Sequence, residues 1–71
     1  MEIQQIVHLL GPWSTGKGPL YRRLAAALQR LIQRGDVAPG TRLPAERLLA
    51  TAWGISRSTV IAAYQLLEQE Q

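Results

Sequence analysis

Ser56-Arg57-Ser58-Thr59 sets three hydroxyls and a guanidinium on consecutive residues. At the start of a helix such a set can hold an anion. The first-turn amides have no partner within the helix, the hydroxyls donate, and arginine offers a planar fork that matches a phosphate or the edge of a guanine. Ser56 suits the N-cap position, its hydroxyl taking the amide of Ser58 or Thr59, and capping alone is the bland role for these hydroxyls. Beyond the cap, a wheel of 100° per residue puts Ser58, Ile61, Ala62 and Gln65 on the outward face, with Arg57 and Thr59 flanking it. That face is short-chained and almost uncharged, which suits a helix pressed into a groove. Ile61 would meet a thymine methyl there, or else is one scattered surface apolar residue. Arg47, on the outer side of the preceding helix, is placed to reach a flanking phosphate, with a surface pair to Glu46 or Glu70 as the alternative.

Other chemistry finds little support. There is no cysteine, and His8 is the one histidine, so thiolate and His-rich metal sites are excluded. Gly11, Gly16 and Lys17 match three fixed positions of the G-x-x-x-x-G-K-[ST] phosphate loop. Gly18 stands where the Mg²⁺-binding hydroxyl belongs, and a helix rather than a strand precedes the loop. One lysine, one histidine and no paired carboxylates give no nucleophile–base set, so no enzyme activity is expected.

The elements that position Ser56 to Ile61 follow from periodicity. Glu2 to Leu10 reads as a short helix with Ile3, Ile6, Val7 and Leu10 on one stripe, His8 off it, and Gly11 as its stop. So short a helix must pack on the domain or on a partner chain. Gly11 to Pro19 is a Gly/Pro-rich linker, with Trp13 tucked onto the core. Leu20 to Arg34 is the strongest helix, on Leu20, Leu24, Leu28 and Leu31 with Tyr21, Ala25 and Ile32 beside them. Pro19 fits its first turn, Gly35 the position past its end, and Arg30 and Arg34 its dipole. Arg22, Arg23 and Arg30 are either phosphate contacts or a solvated face. Asp36 to Pro44 is a connector anchored by Val37 and Leu43. Pro39-Gly40 suits a type II turn, and Thr41-Arg42-Leu43 a short extended piece.

Ala45 to Trp53 is a further helix, opened by Pro44, with Leu48, Leu49, Ala52 and Trp53 as its buried stripe. Ala50 is small where a second helix would cross, Gly54 tolerates positive φ at the turn, and Leu49, Trp53, Ile55, Val60 and Ala63 supply the apolar flanks. These seven positions describe a helix-turn-helix rather than an ordinary helical hairpin. The second helix has Val60, Ala63, Tyr64 and Leu67 facing the core.

Seventy-one residues make one small domain with a formal charge of +3. All eight basic residues, seven of them arginine, lie between Lys17 and Arg57, a span holding only Asp36 and Glu46 as acids. A charge so concentrated suits a polyanionic partner, although it also solubilises small domains. No apolar run approaches the ~18 residues of a membrane span, and no basic and apolar leader pattern opens the chain, so a cytoplasmic protein is expected.

The run Leu20-Tyr21, Ile32, Gly35-Asp36-Val37, Pro39 to Arg47, Leu49-Ala50 and Gly54 to Val60 resembles the winged helix-turn-helix of GntR-type bacterial transcription regulators, with GTRLPAER and SRSTV its most specific parts. Ala63-Tyr64, Trp13 and Gly18 to Tyr21 are similar to the MocR branch, in which this domain is fused to an aminotransferase-like domain that binds pyridoxal phosphate. The expected fold is all-α, the helix-turn-helix three-helix core of a winged-helix domain. An N-terminal helix and linker over 1–18 precede the domain at 19–71, and the wing hairpin lies beyond the sequence. The resemblance implies sequence-specific binding of double-stranded DNA, usually as a homodimer on two half-sites, with the helix over 56–70 in the major groove. It also implies contacts from Arg47, Ser56, Arg57, Ser58 and Thr59, while Ile61 replaces an arginine that some members carry and implies a different base preference. The alternative is a helical protein-docking module. No cofactor is expected in this chain; a pyridoxal phosphate would belong to a domain beyond Gln71.

Overall fold

The computed structural model describes residues 3–38 and 42–69, and among these the protein is four helices with no strand. The helices are α1 (Ile3–Leu10), α2 (Leu20–Gln33), α3 (Glu46–Trp53) and α4 (Arg57–Gln69). They share one core, with α2 and α4 packed most extensively, α3 across α4, and α1 against both α2 and α3.

α1 buries Ile6 and Leu10 and packs Ile3 and Leu9 partly against the core, leaving His8 exposed. Its partner is therefore the domain itself. The loop after it is not a free linker. Trp13 is 4% exposed and meets Trp53 of α3 edge to face, ring centroids 5.5 Å apart. Arg23 of α2 holds the loop by donating from Nε to the Gly18 carbonyl at 3.0 Å and from Nη1 to the Ser14 carbonyl. Pro19 stands at the N-cap of α2 rather than inside its first turn, and its carbonyl accepts the Arg22 and Arg23 amides.

α2 presents Leu24, Ala25, Ala27, Leu28 and Leu31 to the core. The helix stops at Gln33; Arg34 is the capping residue and pairs with Asp36. Gly35 takes φ 84°, which lets its amide reach the Ile32 carbonyl while the Asp36 amide reaches Leu31. The last carbonyls of α2 are satisfied by this reversal, which turns Val37 into the core. Of the connector, Leu43 packs partly on the core, and Arg42 to Ala45 have no regular structure. The turn expected at Pro39-Gly40, together with Thr41, lies outside the described residues, as does any wing.

The stripe expected on α3 needs correction. Leu49 and Ala50 are buried and Trp53 is half-buried, but Leu48 is 53% exposed and Ala52 is exposed as well. Ala50 is on the buried side of α3, and Leu48 lies 200° from it on a helix of 100° per residue, on the opposite side. Glu46, not Ala45, opens the helix, so Pro44 lies ahead of it rather than in its first turn.

The turn into α4 follows the expected chemistry. Gly54 is left-handed, at φ 64° and ψ 34°; its amide bonds the Thr51 carbonyl and the Ile55 amide bonds Ala50. α4 then buries Val60, Ala63 and Leu67. Tyr64 is half-buried beside them and donates its hydroxyl to the Pro44 carbonyl at 2.8 Å, tying the middle of α4 to the lead-in of α3. Burial, with the Glu46 carboxylate nearby, pushes the phenol up from 10 to about 12.

Two outcomes follow from this packing. Gly54→Ala should cost about 1–2 kcal/mol, because a side chain at that φ is strained although the space beside it is open. Gly54→Asn should cost less, and urea unfolding followed by tryptophan fluorescence measures both. A phenol whose pKa is raised on folding contributes stability that is whole below pH 10 and lost as pH rises through about 12, since the unfolded chain ionises first. Tyr64→Phe should lose about 1 kcal/mol at neutral pH and show a shallower decline than the parent above pH 10 in the same unfolding assay.

Candidate nucleic-acid interface

The start of α4 is built from its cap outward. Ser56 Oγ accepts the Thr59 amide at 3.2 Å, as expected of an N-cap. The same oxygen lies 2.7 Å from Thr59 Oγ1 and 3.2 Å from Ser58 Oγ, so the three hydroxyls form one cluster around the first turn. Ser56 and Ser58 are exposed and Thr59 is half-buried. The hydroxyls therefore cap the helix and also stand at its solvent-facing end, where the unpaired first-turn amides favour negative charge.

Arg57 projects from this turn with its side chain 62% exposed. Its Nη2 donates to Glu46 Oε1 at 3.2 Å, an ion pair between the first residues of α3 and α4. Arg47 is exposed on the next position of α3, and Ala45, Glu46, Arg47 and Arg57 line one shallow cleft. Glu46 thus pairs with Arg57, whereas the sequence suggested Arg47 as its partner. The rigid turn at Gly54 brings the two helix starts together, and sequence separation carries no sign of that. An exposed pair of this kind adds little stability, about 0–1 kcal/mol, so its significance is where it holds the guanidinium.

Ile61 lies one turn beyond Arg57 on α4 and is half-buried without joining the core cluster. Ala62 is likewise half-buried, while Ser58 and Gln65 are exposed. The outward face of α4 therefore carries no charged side chain from Ser58 to Gln65. The six candidate residues divide into a capped hydroxyl cluster (Ser56, Ser58, Thr59), two arginines on one cleft (Arg47, Arg57) and one apolar residue along the same helix (Ile61).

Two residues in this region were not identified as part of the site from the sequence. Glu46 read only as a surface acid, and Tyr64 only as core. The one signal for Tyr64 was a hydroxyl on a core-facing position, which needs an acceptor once buried. Arg23, read as a phosphate contact or a solvated residue, spends its guanidinium on the loop carbonyls. Among the described residues no three His, Cys, Asp or Glu side chains are grouped to hold a metal, and no helix is long and apolar enough to cross a membrane.

Comparison with known proteins bears on the same region. Residues 20–71 match the model of the bacterial regulatory proteins of the gntR family. The chain is 43% identical over 56 residues to the mannosyl-D-glycerate transport/metabolism system repressor MngR of Escherichia coli (strain K12), covering 79% of this chain and 23% of that protein. It is 42% identical over 48 residues to the pyridoxine biosynthesis transcriptional regulator PdxR of Corynebacterium glutamicum, covering 68% of this chain and 11% of that one. To the probable rhizopine catabolism regulatory protein MocR of Rhizobium meliloti it is 40% identical over 52 residues, covering 73% and 10%. These identities are so close that the likeness is to the family as a whole rather than to one branch. The chain spans less than a quarter of the length of these relatives, and no solved structure matches it. With three-quarters of its length under the family model and a helix-turn-helix at its centre, the chain belongs to the gntR family of bacterial regulatory proteins.

Proposed function

We propose that this domain binds double-stranded DNA sequence-specifically in the control of transcription, with α4 in the major groove. The observation that carries the reading is the start of α4. Arg57 and the Ser56, Ser58 and Thr59 hydroxyls sit together at a helix terminus whose opposite face is locked into the core, so the reading face is held rigid. Arg57 would read a base edge or a phosphate, the hydroxyls and first-turn amides would grip the adjoining backbone, and Arg47 would hold the flanking strand. Ile61 would lie against a thymine methyl one turn further along. The regulators and repressors among the relatives support the transcriptional role, and a homodimer on two half-sites in the cytoplasm is the arrangement this reading favours for the whole protein.

The basic stretch between Lys17 and Arg57 supplies the non-specific part of the attraction. Binding of a duplex by the 71-residue chain should weaken steeply with added salt. Arg57→Ala should reduce affinity for a duplex selected from a randomised pool by roughly 10- to 100-fold, with unfolding unchanged. Fluorescence anisotropy at several salt concentrations measures both. Binding indifferent to salt and to Arg57 would overturn the reading in favour of a helical protein-docking module.

A further inference from the structure

The Glu46–Arg57 pair is oddly placed for a DNA-reading surface, since it puts a carboxylate beside the arginine best situated to meet an anion. Resting on the DNA-binding reading above, we propose that Glu46 is a positioning residue for sequence discrimination, restraining the Arg57 guanidinium while leaving it a complete two-donor edge for a base.

The chemistry of the contact carries this. A guanidinium has five N–H donors arranged as two bidentate edges, Nε with Nη2 and Nη1 with Nη2. Nη2 belongs to both edges and carries two hydrogens. Glu46 Oε1 takes Nη2 at 3.2 Å and, among the described residues, is the one carboxylate oxygen on Arg57. A single acceptor there occupies one edge and leaves the other whole, which is what the O6 and N7 acceptors of guanine require. Two-point capture by the carboxylate would instead have consumed an entire edge. The pair thus restrains Arg57 without exhausting its donors.

The surroundings make Glu46 able to do this. It is the first residue of α3, where a carboxylate is favoured by the helix dipole. The chain leading into it is tied to α4 by the Tyr64 hydroxyl on the Pro44 carbonyl. The Gly54 turn fixes α3 against α4 from the other end. Glu46 therefore approaches Arg57 from a backbone anchored on both sides.

The test compares binding of a duplex selected from a randomised pool by the unsubstituted chain with binding of a scrambled duplex of equal length and composition. Glu46→Ala should cut the selected-to-scrambled ratio by roughly 2- to 5-fold, within what an exposed ion pair can supply. Glu46→Gln, whose amide oxygen still accepts from Nη2, should keep most of the ratio. In an Arg57→Ala background, Glu46→Ala should leave the ratio where Arg57→Ala alone puts it, because the effect passes through the guanidinium. Thermal melts of all variants separate loss of fold from loss of discrimination. An unaltered ratio in Glu46→Ala overturns the inference. So does a fall of the same size in the Arg57→Ala background, or a Glu46→Gln protein that behaves like Glu46→Ala. Failure of the unsubstituted chain to select any sequence overturns the DNA reading itself, a different result from selection that ignores Glu46.

Discussion

At Gly54 the backbone turns left-handed, and within three residues α3 has ended and α4 has begun. The geometry around this turn is over-determined. The Gly54 and Ile55 amides bond the Thr51 and Ala50 carbonyls of α3, Ser56 takes the Thr59 amide of α4, and Ala50 is buried ahead of the turn. Every functional statement about the molecule depends on this constraint. It fixes the angle at which the start of α4 leaves the body, and it brings the first turns of two helices side by side. Without it Arg47, Glu46 and Arg57 would not share a cleft.

Much of the chain's positive charge already has work inside the molecule. Arg23 secures the loop before α2, Arg34 pairs with Asp36 at the end of α2, and Arg57 pairs with Glu46. A count of basic residues therefore overstates what is offered to a polyanion in this state. What distinguishes Arg57 from Arg34 is the setting rather than the charge. Arg34 closes on a neighbour two residues away at a helix end, whereas Arg57 is held across an interhelical cleft beside three hydroxyls.

The elements were legible where a local rule governed them. The stripe of Leu24, Leu28 and Leu31, the glycine stops at Gly11, Gly35 and Gly54 and the cap at Ser56 are all decided within a few residues, and periodicity and cap chemistry read them directly. The features that escaped depend on how one helix rotates against another. Leu48 and Leu49 are equivalent as hydrophobic neighbours, and only the packing of α3 against α4 and α1 decides that Leu49 goes in and Leu48 stays out. Tyr64 and Pro44 are distant in sequence, as are Glu46 and Arg57, and such pairs leave no periodic trace. The hydroxyl cluster was legible because it lies within one turn, while the orientation of its arginine was not because the residue that sets it lies on another helix.

Trp13 against Trp53 places two boundaries in different positions. The match to the family model begins at residue 20, yet Ile6, Leu10 and Trp13 are buried in the same core as Leu28 and Val60. Each such side chain contributes about 1.5–3 kcal/mol by its burial, against the 5–15 kcal/mol that holds a typical domain together. The inherited module and the cooperative folding unit thus have different edges. A fragment trimmed to the homologous stretch would expose the seat of Trp13 on α3, the helix that carries Glu46 and Arg47. The segment ahead of the module thus packs against the helix that carries Glu46 and Arg47 without lining their cleft.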